Sequence, residues 1–170
     1  DGSVIVQSEP GKGSSFIVEI PCRIVSEEER IDQAEQSMPE NFLKCKRILL
    51  VEDNELNVEI ARTILQDAKA EVEVAADGAI AVAMVQKAPV GYYDVVLMDI
   101  QMPKMNGYQA TKAIRKLPDE RAQVPIIAMT ANAFEEDRQA AFAAGMDDYL
   151  AKPIEIDKLL RKIVKALEKK

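Results

Sequence analysis

Across residues 46–170, apolar runs closed by a polar or charged residue alternate with amphipathic stretches. The runs lie near 47–51, 71–75, 94–98, 125–129 and 147–150, and read as strands. Helical periodicity lies near 54–69, 78–87, 106–117, 132–144 and 155–168. The first helix follows Asp53-Asn54, two good N-cap residues, and carries Leu56, Ile60, Ile64 and Ala68 at helical spacing. The fourth has Asn132 three residues before Glu135, a capping-box spacing. In the last, Ile156, Leu159, Leu160, Ile163, Val164 and Leu167 form one face, with Lys158, Arg161, Lys162 and Lys165 largely on the other. Strict alternation of strand and helix predicts a parallel sheet between helices, joined by right-handed crossovers. The first strand, Ile48-Leu49-Leu50-Val51, is wholly apolar and is expected in a central, doubly covered position.

The first 45 residues read differently. Val4-Ile5-Val6-Gln7-Ser8 and Ser15-Phe16-Ile17-Val18-Glu19-Ile20 are strand-like and joined by the turn Glu9-Pro10-Gly11-Lys12-Gly13-Ser14, so residues 1–21 predict a hairpin. Gly11-Lys12-Gly13 lacks the full spacing of a phosphate loop and has no helix after it. Residues 22–45 are polar and acidic, as in a linker. The opening Asp1-Gly2, without methionine, suggests a piece of a longer chain.

In a parallel sheet the C-terminal ends of the strands share one edge, and here those ends carry chemistry. The strand near 47–51 delivers Glu52-Asp53, the run Val95-Val96-Leu97-Met98 delivers Asp99, Ile126-Ile127-Ala128-Met129 delivers Thr130, and Asp148-Tyr149-Leu150-Ala151 delivers Lys152 before Pro153. Taken singly, Glu52-Asp53 are cap acids, Thr130 a turn residue, Lys152 a surface lysine and Tyr149 an edge aromatic. Their joint arrival at separate strand ends argues for a site. Three acids together repel one another unless a hard divalent cation lies between them, and magnesium suits an all-oxygen ligand set. Such a site fits phosphoryl transfer to a carboxylate, with Lys152 as a compact charge on the phosphoryl group and Thr130 as a hydroxyl donor.

Composition narrows the alternatives. The 170 residues, 48% hydrophobic, allow one full core. There is no histidine, which excludes a Ser-His-Asp triad, histidine metal ligands and a phosphohistidine within this sequence. Net charge is −7, with the acidic excess concentrated before residue 46, which argues against nucleic-acid binding. Cys22 and Cys45 have no metal spacing and read as reduced thiols. No run has the length of a membrane span or the form of a signal peptide, so a cytoplasmic setting without membrane contact is expected. Met98, Met129 and Met146 read as core filling, with Met102 and Met105 beside the site either core or partner surface.

Four segments carry a resemblance. Leu49-Leu50-Val51-Glu52-Asp53-Asn54, Met98-Asp99-Ile100-Gln101-Met102-Pro103 with Asn106-Gly107, Met129-Thr130-Ala131, and Tyr149-Leu150-Ala151-Lys152-Pro153 together resemble the response-regulator receiver domain over residues 46–170. The resemblance implies a doubly wound, flavodoxin-like α/β fold, a five-stranded parallel sheet in order 2-1-3-4-5. It also implies phosphorylation of Asp99, with magnesium (Mg2+) held by Asp53, Asp99 and the backbone carbonyl of Gln101. Glu52 ligates directly or through water; the family more often has Asp at that position. Lys152 pairs with the phosphate, Thr130 and Tyr149 form a switch that reports it, and the bond before Pro153 is cis.

Gly2 through Pro21 resembles the last two strands of a histidine-kinase ATP-binding domain. Kinase end, linker (22–45) and receiver is the layout of a hybrid sensor histidine kinase, whose parent protein is anchored in the inner membrane in some cases. The chain lacks the nucleotide-holding segments, so the expected activity is confined to its own phosphorylation and dephosphorylation. The implied partners are a histidine kinase donor domain and a histidine phosphotransfer protein, with homodimerisation left open. A non-relaying module that regulates its own kinase is the alternative. A stand-alone phosphohydrolase is disfavoured, because Gln101 stands two residues after Asp99, where a second acid is needed.

Overall fold

The computed structural model describes residues 2–9, 11–21, 41–131 and 135–168. Two compact units divide the chain, 1–39 and 40–170. In the first, β1 (Ser3–Glu9) and β2 (Gly13–Glu19) pair antiparallel, with Val4 opposite Val18, Ile5 opposite Ile17 and Val6 opposite Phe16. All of these side chains are exposed. Of the predicted linker, 22–45, residues 22–40 lie outside the described residues, as do Cys22 and the Asn132 cap, and 41–45 form a turn. Cys45 is a free, exposed thiol.

The second unit holds β3 (Arg47–Val51), α1 (Glu55–Asp67), β4 (Glu71–Ala75), α2 (Gly78–Lys87), β5 (Val95–Asp99), α3 (Gly107–Arg115), a 3-10 turn at Glu120–Gln123, β6 (Ile126–Thr130), α4 (Glu135–Ala144), β7 (Asp148–Ala151) and α5 (Ile156–Glu168). The five strands are parallel in the order β4-β3-β5-β6-β7. That is the 2-1-3-4-5 order of a flavodoxin-like sheet. β3 is interior, as its apolar run demands, but β5 takes the middle position. β5 is also buried at all five residues, Asp99 included.

Alternation along the strands builds two cores. Val96 and Met98 face one side with Leu49, Val51, Ile126 and Ala128, covered by Ala81 and Val85 of α2, Ala110 and Ile114 of α3 and Ala141 of α4. Val95 and Leu97 face the other with Ile48, Leu50, Ile127 and Met129, covered by Ala61 and Leu65 of α1 and Leu159, Ile163 and Ala166 of α5. Leu43 is fully buried in this second core, ahead of the residue-46 start expected from sequence. Met98, Met102, Met129 and Met146 are core filling, and Met105 packs at its margin.

The face of α1 departs from expectation. Leu56 and Ile60 are exposed, and Ala61 and Leu65 hold the core contact, with Val58, Ile64 and Ala68 partly buried beside them. Ile156 of α5 is likewise exposed.

Local chemistry sets the starts of the helices that frame the site. Asn54 caps α1 by accepting from the backbone N–H groups of Leu56 and Asn57. Asp77 caps α2 through the N–H of Ile80, and Asn106 with Gln109 forms a capping box on α3.

Candidate functional site

Where β3, β5 and β7 end, four charged side chains meet. Glu52 and Asp99 are buried, Asp53 is exposed, and one carboxylate oxygen from each lies within 4.8 Å of the others. Lys152 reaches across, its Nζ donating to Glu52 Oε2 at 2.6 Å and Asp99 Oδ2 at 2.8 Å. The Gln101 backbone N–H donates to the other Asp99 oxygen, Oδ1, at 3.2 Å. The Lys152–Pro153 bond is cis, as expected.

The electrostatics follow from burial and these contacts. Burial pushes the Asp99 carboxyl above the usual range, with the Lys152 hydrogen bond pulling the other way. Burial lowers the Lys152 ammonium, but hydrogen bonds to Asp99 and Glu52 outweigh it, and the group stays charged above the ordinary lysine value. Two of the three carboxylates thus share one ammonium. The donor set is oxygen only, which fits a hard divalent cation.

Thr130 is buried at the end of β6, and its carbonyl accepts the Lys152 N–H at 2.7 Å. Tyr149 sits on β7. Its ring meets Phe142 of α4 edge-on at 6.5 Å between centroids and lies under the Lys162 ammonium at 5.0 Å. Lys162 is held there by Asp148 at 2.6 Å.

Three contacts around the site were not read from sequence. Asn57 Nδ2 donates to Glu52 Oε1 at 2.8 Å. On the far flank, Lys104 Nζ donates to buried Asp77 at 2.9 Å, and Gly78 N–H donates to the Met105 carbonyl at 3.2 Å, so the loop after Asp99 is tied to the start of α2. Asn57 stands five residues after Glu52, a spacing with no periodic signal; Asp77-Gly78 was legible only as a helix start.

The response regulator receiver domain model matches residues 48–164. This chain belongs to that family. The aerobic respiration control sensor protein ArcB of Escherichia coli K12 is 40% identical to the chain over 166 residues, 96% of the chain and 20% of ArcB. Sensor protein GacS of Pseudomonas syringae is 43% identical over 124 residues, 72% of the chain and 13% of GacS. The chain therefore spans a fifth or less of these relatives. Among solved structures, the receiver domain of sensor histidine kinase PA1611 from Pseudomonas aeruginosa PAO1, with magnesium coordinated in its active site cleft, matches with 41% identity and a TM-score of 0.66, covering 72% of this chain and 98% of that one. The Saccharomyces cerevisiae complex of the phosphotransfer protein Ypd1 with the receiver domain of Ssk1 matches with 32% identity and a TM-score of 0.66, covering 73% of this chain and 89% of the matched one.

Proposed function

We propose that this receiver takes a phosphoryl group from a phosphohistidine onto Asp99 and relays it to a histidine phosphotransfer protein. The observation that carries the reading is Lys152, held between Asp99 at 2.8 Å and Glu52 at 2.6 Å beside the third carboxylate, Asp53. An Asp99 oxygen attacks phosphorus as the bond to the donor imidazole nitrogen breaks, and that nitrogen keeps the electron pair. With no histidine in the sequence, both donor and acceptor histidines lie outside these 170 residues. Asp53, Asp99 and the backbone carbonyl of Gln101, with Glu52 directly or through water, would hold magnesium, which would supply charge neutralisation on the phosphoryl oxygens. The magnesium in the PA1611 cleft supports this assignment. Lys152 then follows the phosphoryl group and Thr130 donates its hydroxyl to it. Tyr149 responds, altering the face formed by α4, β7 and α5.

The Ypd1–Ssk1 complex supports a phosphotransfer protein as recipient. The ArcB match, over 96% of the chain, extends ahead of the receiver, and we read the hairpin as the end of a kinase ATP-binding domain followed by a linker (22–45) to the receiver at 46–170. Among the described residues no helix is long and apolar enough to cross a membrane. We take a histidine kinase as the donor, which places this segment in the cytoplasm with it. Asp99→Asn should abolish labelling by a phosphorylated kinase or by acetyl phosphate; undiminished labelling would overturn the acceptor assignment. Loss of label from the phosphorylated chain to a phosphotransfer protein supports relay, and retention against a full panel argues for a non-relaying module.

A further inference from the structure

Glu52 is the most enclosed acid of the site, about 2% exposed, and its two oxygens have different partners. Oε2 accepts from Lys152, and Oε1 accepts from the side-chain amide of Asn57 at 2.8 Å. Both ends of that second contact are fixed from below. The Glu52 N–H donates to the Ala75 carbonyl at 3.0 Å, pinning its backbone to the end of β4. The Asn57 N–H donates to Asn54 Oδ1 at 3.2 Å, so the helix cap sets where its side chain begins. Helical side chains lean toward the N-terminus of their helix, which aims Asn57 back at the strand end.

A glutamate has one more rotatable bond than an aspartate, and a buried carboxylate oxygen without a donor reorients to find one. Without Asn57, the donor left to Glu52 among these two is Lys152, and the carboxylate can turn onto that ammonium and away from Asp53 and Asp99. Groups that orient a metal ligand typically change metal affinity by about 10–100-fold when removed.

We propose that Asn57 is a positioning residue for Glu52, holding this longer acid in the geometry that serves the cation. The inference rests on the magnesium reading given above. Magnesium alone is the probe, titrated by NMR into the full, unphosphorylated chain as wild type, Asn57→Ala, Glu52→Ala and the double variant, with urea unfolding to verify folding of each. Asn57→Ala should bind magnesium about tenfold more weakly. In the Glu52→Ala background the same substitution should change affinity by less than about twofold, because the group it acts through is gone. Acetyl phosphate labelling of Asn57→Ala should slow at low magnesium and recover at saturating magnesium. Wild-type affinity in Asn57→Ala, or a tenfold loss that persists without Glu52, would overturn the positioning role. A wild-type chain that shows no magnesium response would overturn the metal reading itself, a result distinct from either.

Discussion

Lys152 holds two buried carboxylates at once, so its removal tests the charge balance at a single residue. Breaking a buried ion pair by deleting one partner costs about 3–5 kcal/mol, and the lower end applies here because the lysine keeps some contact with solvent. Burial already raises the Asp99 carboxyl, and loss of Lys152 removes the main influence opposing that rise. A carboxyl raised in the folded state binds its proton more tightly there than in the unfolded chain. Its penalty is therefore full at neutral pH and fades as pH falls through the raised value. Lys152→Met should lose about 3 kcal/mol in urea unfolding at neutral pH and clearly less in acid, below the raised Asp99 value. An equal loss at both pH values would mean that packing, not charge, dominates. Gly107 makes a second, steric point. A Cβ there would stand 2.2 Å from the Asp99 carbonyl oxygen and 3.0 Å from the Ile100 Cα, both backbone atoms with little room to yield. Gly107→Ala should cost about 1–3 kcal/mol and slow acetyl phosphate labelling, because relief of the clash moves the acceptor's own backbone.

Between elements, the loop after Asp99 and the start of α2 act as one clamp built on Asp77. The Ile80 N–H, followed by the Lys104 ammonium, holds the Asp77 carboxyl below the usual range. A carboxyl lowered in the fold contributes stability that is present above its unfolded value and lost as pH falls through the folded one. Asp77→Asn keeps a capping oxygen but gives up the charge. Its unfolding midpoint should lie below wild type at neutral pH, and the two should converge in strong acid. β3, β5 and β6 were legible because each is a short apolar run stopped by a polar residue and buried nearly throughout, whereas β4 and β7 are mixed and partly exposed and followed from the strand–helix alternation. The face of α1 was legible only in part, because Val58, Ala61 and Leu65 make a second helical stripe beside Leu56, Ile60, Ile64 and Ala68, and periodicity alone does not choose between adjacent stripes. At the site, the residues at strand ends followed from topology. The contacts of Asn57 with Glu52 and of Lys104 with Asp77 did not, since each depends on side-chain direction: one leans back from a helix turn, the other extends from a residue with φ of +64°.

Over the whole chain, the hairpin and the receiver have different means of support. Among the described residues, both cores are built from residues 42–167. The hairpin carries apolar side chains on both faces, and an isolated two-stranded sheet is marginal in water. A ligand that binds only the folded receiver stabilises only that unit, by about 2.7 kcal/mol at a hundred times its dissociation constant. Amide exchange followed with and without magnesium separates the two. Protection of the amides in β3, β5 and β6 should rise by that amount, about a hundredfold in rate where exchange proceeds through global unfolding. Amides of residues 3–20 should exchange at an unchanged rate. A magnesium-dependent slowing in the hairpin would show instead that the two units unfold as one, and that the hairpin's apolar faces draw their stability from the receiver.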